Sequence, residues 1–297
     1  MKKSLIALAV LAASGAAMAQ SSVTLYGVAD IAVAKATGAK VAASANGLAN
    51  NGNSRLGVRG VEDLGGGLKA SFNFEQAVNL ANGATDANTW QRAAFVALSG
   101  NFGEVYAGRR LSPHFFAIAS YELTGTANYS AEASQFGFGG STRNDAFIGY
   151  TTPSFSGLTA TIGTKLAGNN GGKAKTEFNV IYKNGPINAG LGYDKTSGAE
   201  KNLSLGGSYN FGVATVAASF QDPAGARKGF TLGASLPLGA ATLTADIARD
   251  TGSAVKSTDY VVEGKYALSK RTFAYGVIHR DGSAKVTTTG VGLRHNF

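Results

Sequence analysis

Apolar and small residues recur at every second position along most of this chain, and the alternation runs through to the last residue. In Val286–Phe297, the residues Val291, Leu293, His295 and Phe297 share one face, and Gly290, Gly292, Arg294 and Asn296 share the other. A period of two places successive side chains on opposite faces of a β-strand. In a soluble protein such a strand would end on an apolar edge open to aggregation. A closed barrel in a membrane avoids this, because the last strand pairs with the first and its apolar face meets lipid. The first strand has the same pattern: Val23, Leu25, Gly27, Ala29, Ile31 and Val33 on one face, Thr24, Tyr26, Val28 and Asp30 on the other.

Sixteen such runs are expected, beginning near residues 23, 55, 68, 90, 104, 144, 158, 175, 187, 201, 213, 228, 241, 258, 272 and 286. An even count returns both termini to one side of a membrane barrel. Thr272 to Arg280 is the least regular run, with apolar residues on both faces. The connections alternate in length. Short turns are expected at Asp63–Gly67, Asn101–Gly103, Pro153–Gly157, Asn184–Pro186, Asn210–Gly212, Leu238–Gly239 and Ser269–Arg271. Longer polar connections such as Ala34–Asn53 and Gln76–Asn88 lie between them. Short turns at one rim and long loops at the other are the plan of an outer-membrane barrel. Phe102, Phe155 and Phe211 recur at the short turns, where an interfacial aromatic girdle would sit.

Composition agrees with export and with strands. Lys2 and Lys3, the apolar stretch Leu5–Ala13 and the small-residue site Ala17-Met18-Ala19 form a secretory signal. Cleavage is expected after Ala19, leaving residues 20–297 as a single barrel domain. The chain has 41 Gly, 16 Phe and 11 Tyr but only 5 Pro and no Cys, which suits many strands and tight turns without disulfides. Gly229–Ala248 is the stretch nearest to a spanning helix, but Pro237 and Gly239 break it into two strands.

One segment interrupts the rhythm. Leu111–Thr142 is 32 residues without a strand pattern, and loops of that length in compact folds are functional or disordered. Its six aromatics, Phe115, Phe116, Tyr121, Tyr129, Phe136 and Phe138, argue for packing. Its only acids are Glu122 and Glu132, and it has no Lys or Arg. The expectation is that it folds into the barrel and narrows the lumen; an outward loop packed on its neighbours is the alternative. Arg55, Arg92 and Arg143 stand near the starts of the second, fourth and sixth strands. By parity they point inward, opposite Leu56, Phe95 and Ile148. Arg59 shares the inward face of its strand, and Arg109 ends the fifth. A ring of cations in a narrow lumen attracts anions and repels cations. Pairing of these arginines with inward acids such as Asp30 and Asp145 is the other reading.

Several short motifs add to this pattern: Val23-Thr24-Leu25-Tyr26-Gly27, Ser54-Arg55-Leu56-Gly57, Glu62-Asp63-Leu64-Gly65-Gly66-Gly67-Leu68, Gly108-Arg109 and Gly292-Leu293-Arg294-His295-Asn296-Phe297. Each is weak alone. In this order and spacing the chain resembles, over essentially its whole length, the general porins of Gram-negative outer membranes, and most nearly those of β-proteobacteria. The resemblance implies an all-β transmembrane antiparallel barrel of 16 strands, trimeric, without cofactor, passing small hydrophilic solutes by diffusion. It implies an outer-membrane location among lipid and lipopolysaccharide. The family's inward-folded third outer loop falls on Leu111–Thr142, carrying Phe138, Gly139 and Gly140 together with Glu122 and Glu132. Its arginine wall falls on Arg55, Arg92 and Arg143, with Arg109 alongside, and its terminal Phe, part of the signal read by the barrel assembly machinery, on Phe297. There is one departure. Many enterobacterial members carry an acid just before Phe-Gly-Gly, and here that residue is Gly137. The balance should move toward anions, unless Glu122 or Glu132 takes the acid's place. Small outward residues at Gly27, Ala29 and Gly60 would let barrels pack closely in a trimer.

Other functions fit less well. The only histidines are His114, His279 and His295, and although His279 and Asp281 share a strand face, the sequence puts no nucleophile beside them. A plugged binding barrel would have long outer loops and a filled lumen, whereas most outer loops here are short and the inward faces carry many Gly, Ala and Ser. The basic balance is spread by strand parity, without a nucleic-acid recognition motif. A substrate-selective channel remains open, since the aromatic-rich loop could form a ladder for one solute.

Overall fold

The computed structural model describes residues 21–297, so the signal expected over residues 1–19 lies outside the described residues. Seventeen strands follow from the alternation: β1 (Ser22–Ala36), β2 (Ala42–Ser44), β3 (Arg55–Gly65), β4 (Leu68–Ala77), β5 (Ala93–Gly100), β6 (Gly103–Leu111), β7 (Arg143–Thr151), β8 (Leu158–Lys165), β9 (Lys175–Asn184), β10 (Ile187–Thr196), β11 (Lys201–Asn210), β12 (Thr215–Asp222), β13 (Gly229–Leu238), β14 (Ala241–Asp250), β15 (Thr258–Ala267), β16 (Thr272–Asp281) and β17 (Val286–Asn296). Sixteen of them form the barrel wall. The extra one, β2, is three residues long and pairs only with Ala32–Ala34 of β1.

From β3 to β17 each strand pairs antiparallel with the next. The sheet closes at β1, whose first half pairs with β3 and whose second half pairs with β17. At the seam the Phe297 N–H donates to Gly27 O at 3.1 Å and the Gly27 N–H donates to Phe297 O at 3.0 Å. Closure leaves no free sheet edge, which a strand protein in hydrocarbon requires.

The wall is inverted relative to a soluble protein. Val23, Val33 and Val291 are 71%, 54% and 64% exposed, while Asp30, Glu177 and Glu263 are buried. Apolar side chains face lipid and charged ones face the interior. The short turns depend on backbone that favours glycine. Gly66 and Gly67 have φ of 61° and 82°, and a Cβ on Gly157 would lie 2.3 Å from Lys183 O. Phe155 and Phe211 beside these turns stay largely exposed.

Aromatic rings also lie across glycines on neighbouring strands. Tyr26 opposes Gly57, Phe72 opposes Gly60, Tyr106 opposes Gly149 and Tyr275 opposes Gly292 in the strand register, and Phe297 opposes Gly27 at the seam. A Cβ on any of these glycines would come within 2.3–2.4 Å of the ring. Each ring thus covers backbone that the missing side chain leaves bare. This changes the expectation for Gly27 and Gly60. They are covered by the chain's own Phe297 and Phe72 and do not lie open for close packing between barrels.

Candidate functional site

Between β6 and β7 the chain turns back against the inner wall. Two short helices form there, α1 (Pro113–Ala119) and α2 (Ala131–Phe136). Ser112 and Ser130 cap them by accepting from the N–H groups of Phe115 and Ala133 at 3.0 and 3.3 Å. α1 is fixed to β9–β11. The His114 N–H donates to Glu177 at 2.9 Å, Asn179 donates to Pro113 O at 2.7 Å, and the His114 ring lies 2.8 Å from Asp194 and 2.6 Å from Ser204. This Asp–His–Ser series is an anchor, because all three residues are buried and Ser204 also donates to Gln221. Gly190 and Gly192 on β10 make room for the helix; a Cβ on Gly190 would lie 2.3 Å from Ala117 O. α2 and Tyr129 pack on an apolar patch that includes Val261, Tyr275 and Val277. That patch explains the apolar inner face of β16, which lies under this segment.

The return of the segment is fixed as well. The Gly140 N–H donates to Asp194 at 3.0 Å, and a Cβ on Gly139 would meet His114 at 2.4 Å. Phe138 faces the lumen. The two loop acids do not. Glu132 accepts from Tyr121 at 2.9 Å and from Gln221, between loop and wall. Glu122 accepts from Thr124 Oγ1 and the Thr126 N–H, both at 2.6 Å. Burial first, and then the neighbouring Glu122, push the Glu132 carboxyl well above the usual carboxylate range.

The connection between β1 and β3, expected as an ordinary outer loop, also turns inward. Asp30 accepts from Asn50 at 3.0 Å, from the Gly52 N–H at 3.1 Å and from Tyr275 at 2.6 Å. Asn128 of the longer segment donates to Asn53 at 2.7 Å, which joins the two.

Between them lies a cavity of about 590 Å³ lined by Arg55, Arg92, Arg110, Arg143 and Arg294, with Glu75 as its one carboxylate. Glu75 accepts from Arg92 at 2.7 Å, lies 3.5 Å from Arg55 and accepts from Tyr26 at 2.9 Å. Arg143 donates to Arg92 O at 2.9 Å, and Arg294 donates to Asn51 at 2.8 Å. Arg55, Arg92 and Arg143 therefore meet at one place. Arg59 does not join them; it stands four residues beyond Arg55 on the same face of β3, over the Tyr26 ring at 5.1 Å.

Arg110, and not Arg109, reaches the lumen: it shares the inward face of Tyr106 along β6 and lies over Tyr106 at 4.1 Å and Phe95 at 4.7 Å. The register shift opposite Gly108 and Arg110 puts the extra residue on β7, where Ala146 has a φ of 46°. Arg109 lies instead opposite Ala94 and pairs with Asp145. Among the described residues Asp30 pairs with none of the arginines within 4 Å, but Arg109 pairs with Asp145, Arg55 and Arg92 share Glu75, and Arg110 pairs with Glu104 at 2.8 Å, so pairing with inward acids holds for these four arginines. The fourth wall strand starts at Ala93, not near residue 90, and Phe95 faces inward while Val96 faces lipid. Adjacent apolar residues at 95 and 96 left that parity ambiguous in sequence. Arg92 reaches the lumen from just before the strand. Arg110, Arg294, Glu75 and the Asn51–Asn53 turn were not singled out by sequence. Arg294, Arg110 and Glu75 had a signal, since alternation with the outward Leu293, Val105 and Phe74 places them inward.

A closed barrel with a lipid-facing exterior, its interior narrowed by inward-turned segments and lined by arginines, is a transmembrane channel of the outer-membrane type. A family model described as Gram-negative porin matches residues 5–284. Outer membrane porin protein 32 of Delftia acidovorans is 42% identical over 243 residues, which is 73% of this chain and 68% of that protein. Major outer membrane protein P.IB of Neisseria meningitidis serogroup B is 31% identical over 220 residues, covering 69% of this chain and 63% of that protein. The solved structure of an anion-selective porin from Comamonas acidovorans aligns with a TM-score of 0.78 at 30% identity, over 94% of this chain and 100% of that one. The chain belongs to the Gram-negative porin family. It is an outer-membrane channel for passive diffusion.

Proposed function

We propose that this porin prefers anions and that the cavity between the two inward segments is its filter. The observation that carries the reading is the imbalance, among the described residues, of five arginines against one lining carboxylate, Glu75, with a single further acid, Glu104, paired to Arg110 at 2.8 Å. Fixed charge of one sign in a narrow lumen concentrates counter-ions and excludes co-ions. Neither Glu122 nor Glu132 lines that cavity, since both are buried, within the loop or against the wall. The anion-selective porin of Comamonas acidovorans supports the same reading. In this proposal Arg55, Arg92, Arg110, Arg143 and Arg294 draw anions in, and Phe138-Gly139-Gly140 forms the lip of the constriction. A homotrimer, contact with lipopolysaccharide, recognition of Phe297 by the barrel assembly machinery and removal of residues 1–19 belong to the proposal and rest on the family.

The test is single-channel recording of the refolded protein in a planar bilayer under a KCl gradient. A reversal potential of the anion sign is expected. A potential of the cation sign would refute the filter, and a folded barrel without conductance would point to a plugged binding barrel.

A further inference from the structure

The six aromatics of the segment between β6 and β7 divide into two sets. Tyr121, Tyr129 and Phe136 are 2%, 0% and 5% exposed and dock the segment on the wall. Phe115, Phe116 and Phe138 line the arginine cavity instead, joined there by Phe95 from β5. Phe116 remains 36% exposed although it lies inside the barrel. Phe95 and Phe116 also lie beside the Arg110 guanidinium, at 4.7 and 5.9 Å, whereas among the described residues no cation covers Phe115 or Phe138. The rings are arranged as a surface. Phe115 sits 4.9 Å from Phe138, tilted by 57°, and 5.8 Å edge-on from Phe116.

The same cavity holds guanidinium groups with donors to spare. Among the described residues no carboxylate lies within 4 Å of Arg143 or Arg294. Arg143 uses Nε on Arg92 O, and Arg294 uses Nε and Nη1 on Asn296 and Asn51. Each guanidinium carries five N–H donors, so both can still receive a carboxylate. The cavity volume of about 590 Å³ falls in the range of small-molecule sites, roughly 300–1,000 Å³.

We infer that the constriction contains a subsite for aromatic carboxylates, with the carboxylate on the arginines and the ring against the phenylalanine surface. This rests on the anion-preferring reading above. An aliphatic acid of equal charge uses only the arginines, whereas an aromatic one also gains ring contacts in tilted or edge geometry.

The experiment measures block of chloride current through the full-length refolded channel by benzoate, cyclohexanecarboxylate and acetate. Benzoate should half-block at a concentration about three- to tenfold below that of cyclohexanecarboxylate, the factor expected of one or two aromatic contacts. Phe116→Leu and, separately, Phe138→Leu should bring the two together. Phe116 is the more exposed ring, so its variant guards against a folding defect, and the chloride current of each variant reports an assembled pore. Equal block by benzoate and cyclohexanecarboxylate in the unaltered channel would overturn the subsite while leaving the anion filter standing. So would a benzoate preference that survives both substitutions. A cation-selective channel would overturn both readings together.

Discussion

Glu75 decides how much of the arginine charge acts on the lumen, because it engages Arg92 and Arg55 at once. Glu75→Gln should raise the anion-to-cation permeability ratio roughly fivefold, on the basis of about 1 kcal/mol for one charge at close range in a wet lumen. Reversal potentials in a KCl gradient give the ratio directly, and Arg143→Ala should move it the other way. Glu132 behaves differently. Its buried carboxyl is held above its ordinary value of 4.5, so the folded chain keeps a proton that the unfolded chain releases. The sign follows: this group makes the fold less stable as pH rises above about 4.5, through the window up to its raised value. Glu132→Gln should flatten that slope in denaturant titrations from pH 4 to pH 8 and leave ion selectivity near neutrality unchanged. At this scale sequence was an uneven guide. Arg55 was legible because it begins a regular strand. Arg110 could be told from Arg109 by alternation, since it shares the face of Tyr106, whereas the bulge near Ala146 on β7, the strand that Arg143 begins, had no clear signal.

The elements were legible where alternation is clean and illegible where a second layer lies over the wall. Sixteen strands and their short turns follow from period two and from glycine-bearing turn sequences. The irregular Thr272–Arg280 run carried real information: Tyr275 and Val277 are apolar on the inner face because Tyr129 and α2 cover them. Nothing in Ala34–Asn53 announced that this connection turns inward, since its anchor is Asp30 on a strand and Tyr275 on another, far apart in sequence. The glycines of β10 are similarly a record of what lies above them. Gly190→Val would drive a side chain into Ala117 O and push α1 off the wall toward the lumen. Overpacking of this kind costs roughly 1–3 kcal/mol. The expected outcome is a smaller single-channel conductance, with the heat-dependent gel mobility of a folded barrel retained.

Across the whole molecule, the arginines act through their summed field. Screening should therefore weaken selectivity in a graded way, since the Debye length falls from ~10 Å at 0.1 M to ~3 Å at 1 M salt. The permeability ratio measured at a fixed twofold gradient should decline steadily as mean KCl rises over that range; a ratio independent of salt would mean that pore width, not charge, selects the ions. The seam between Gly27 and Phe297 has a consequence for how the chain is made. Most neighbouring wall strands are joined by a turn or a loop, so their pairings can zip one after another at small loop-closure cost. The β1–β17 pairing spans nearly the whole sequence, and no earlier contact can stand in for it. Until that contact forms, a growing chain is a curled sheet with two sticky margins, and the final hairpin serves as the latch that tells a finished cylinder from an unfinished one.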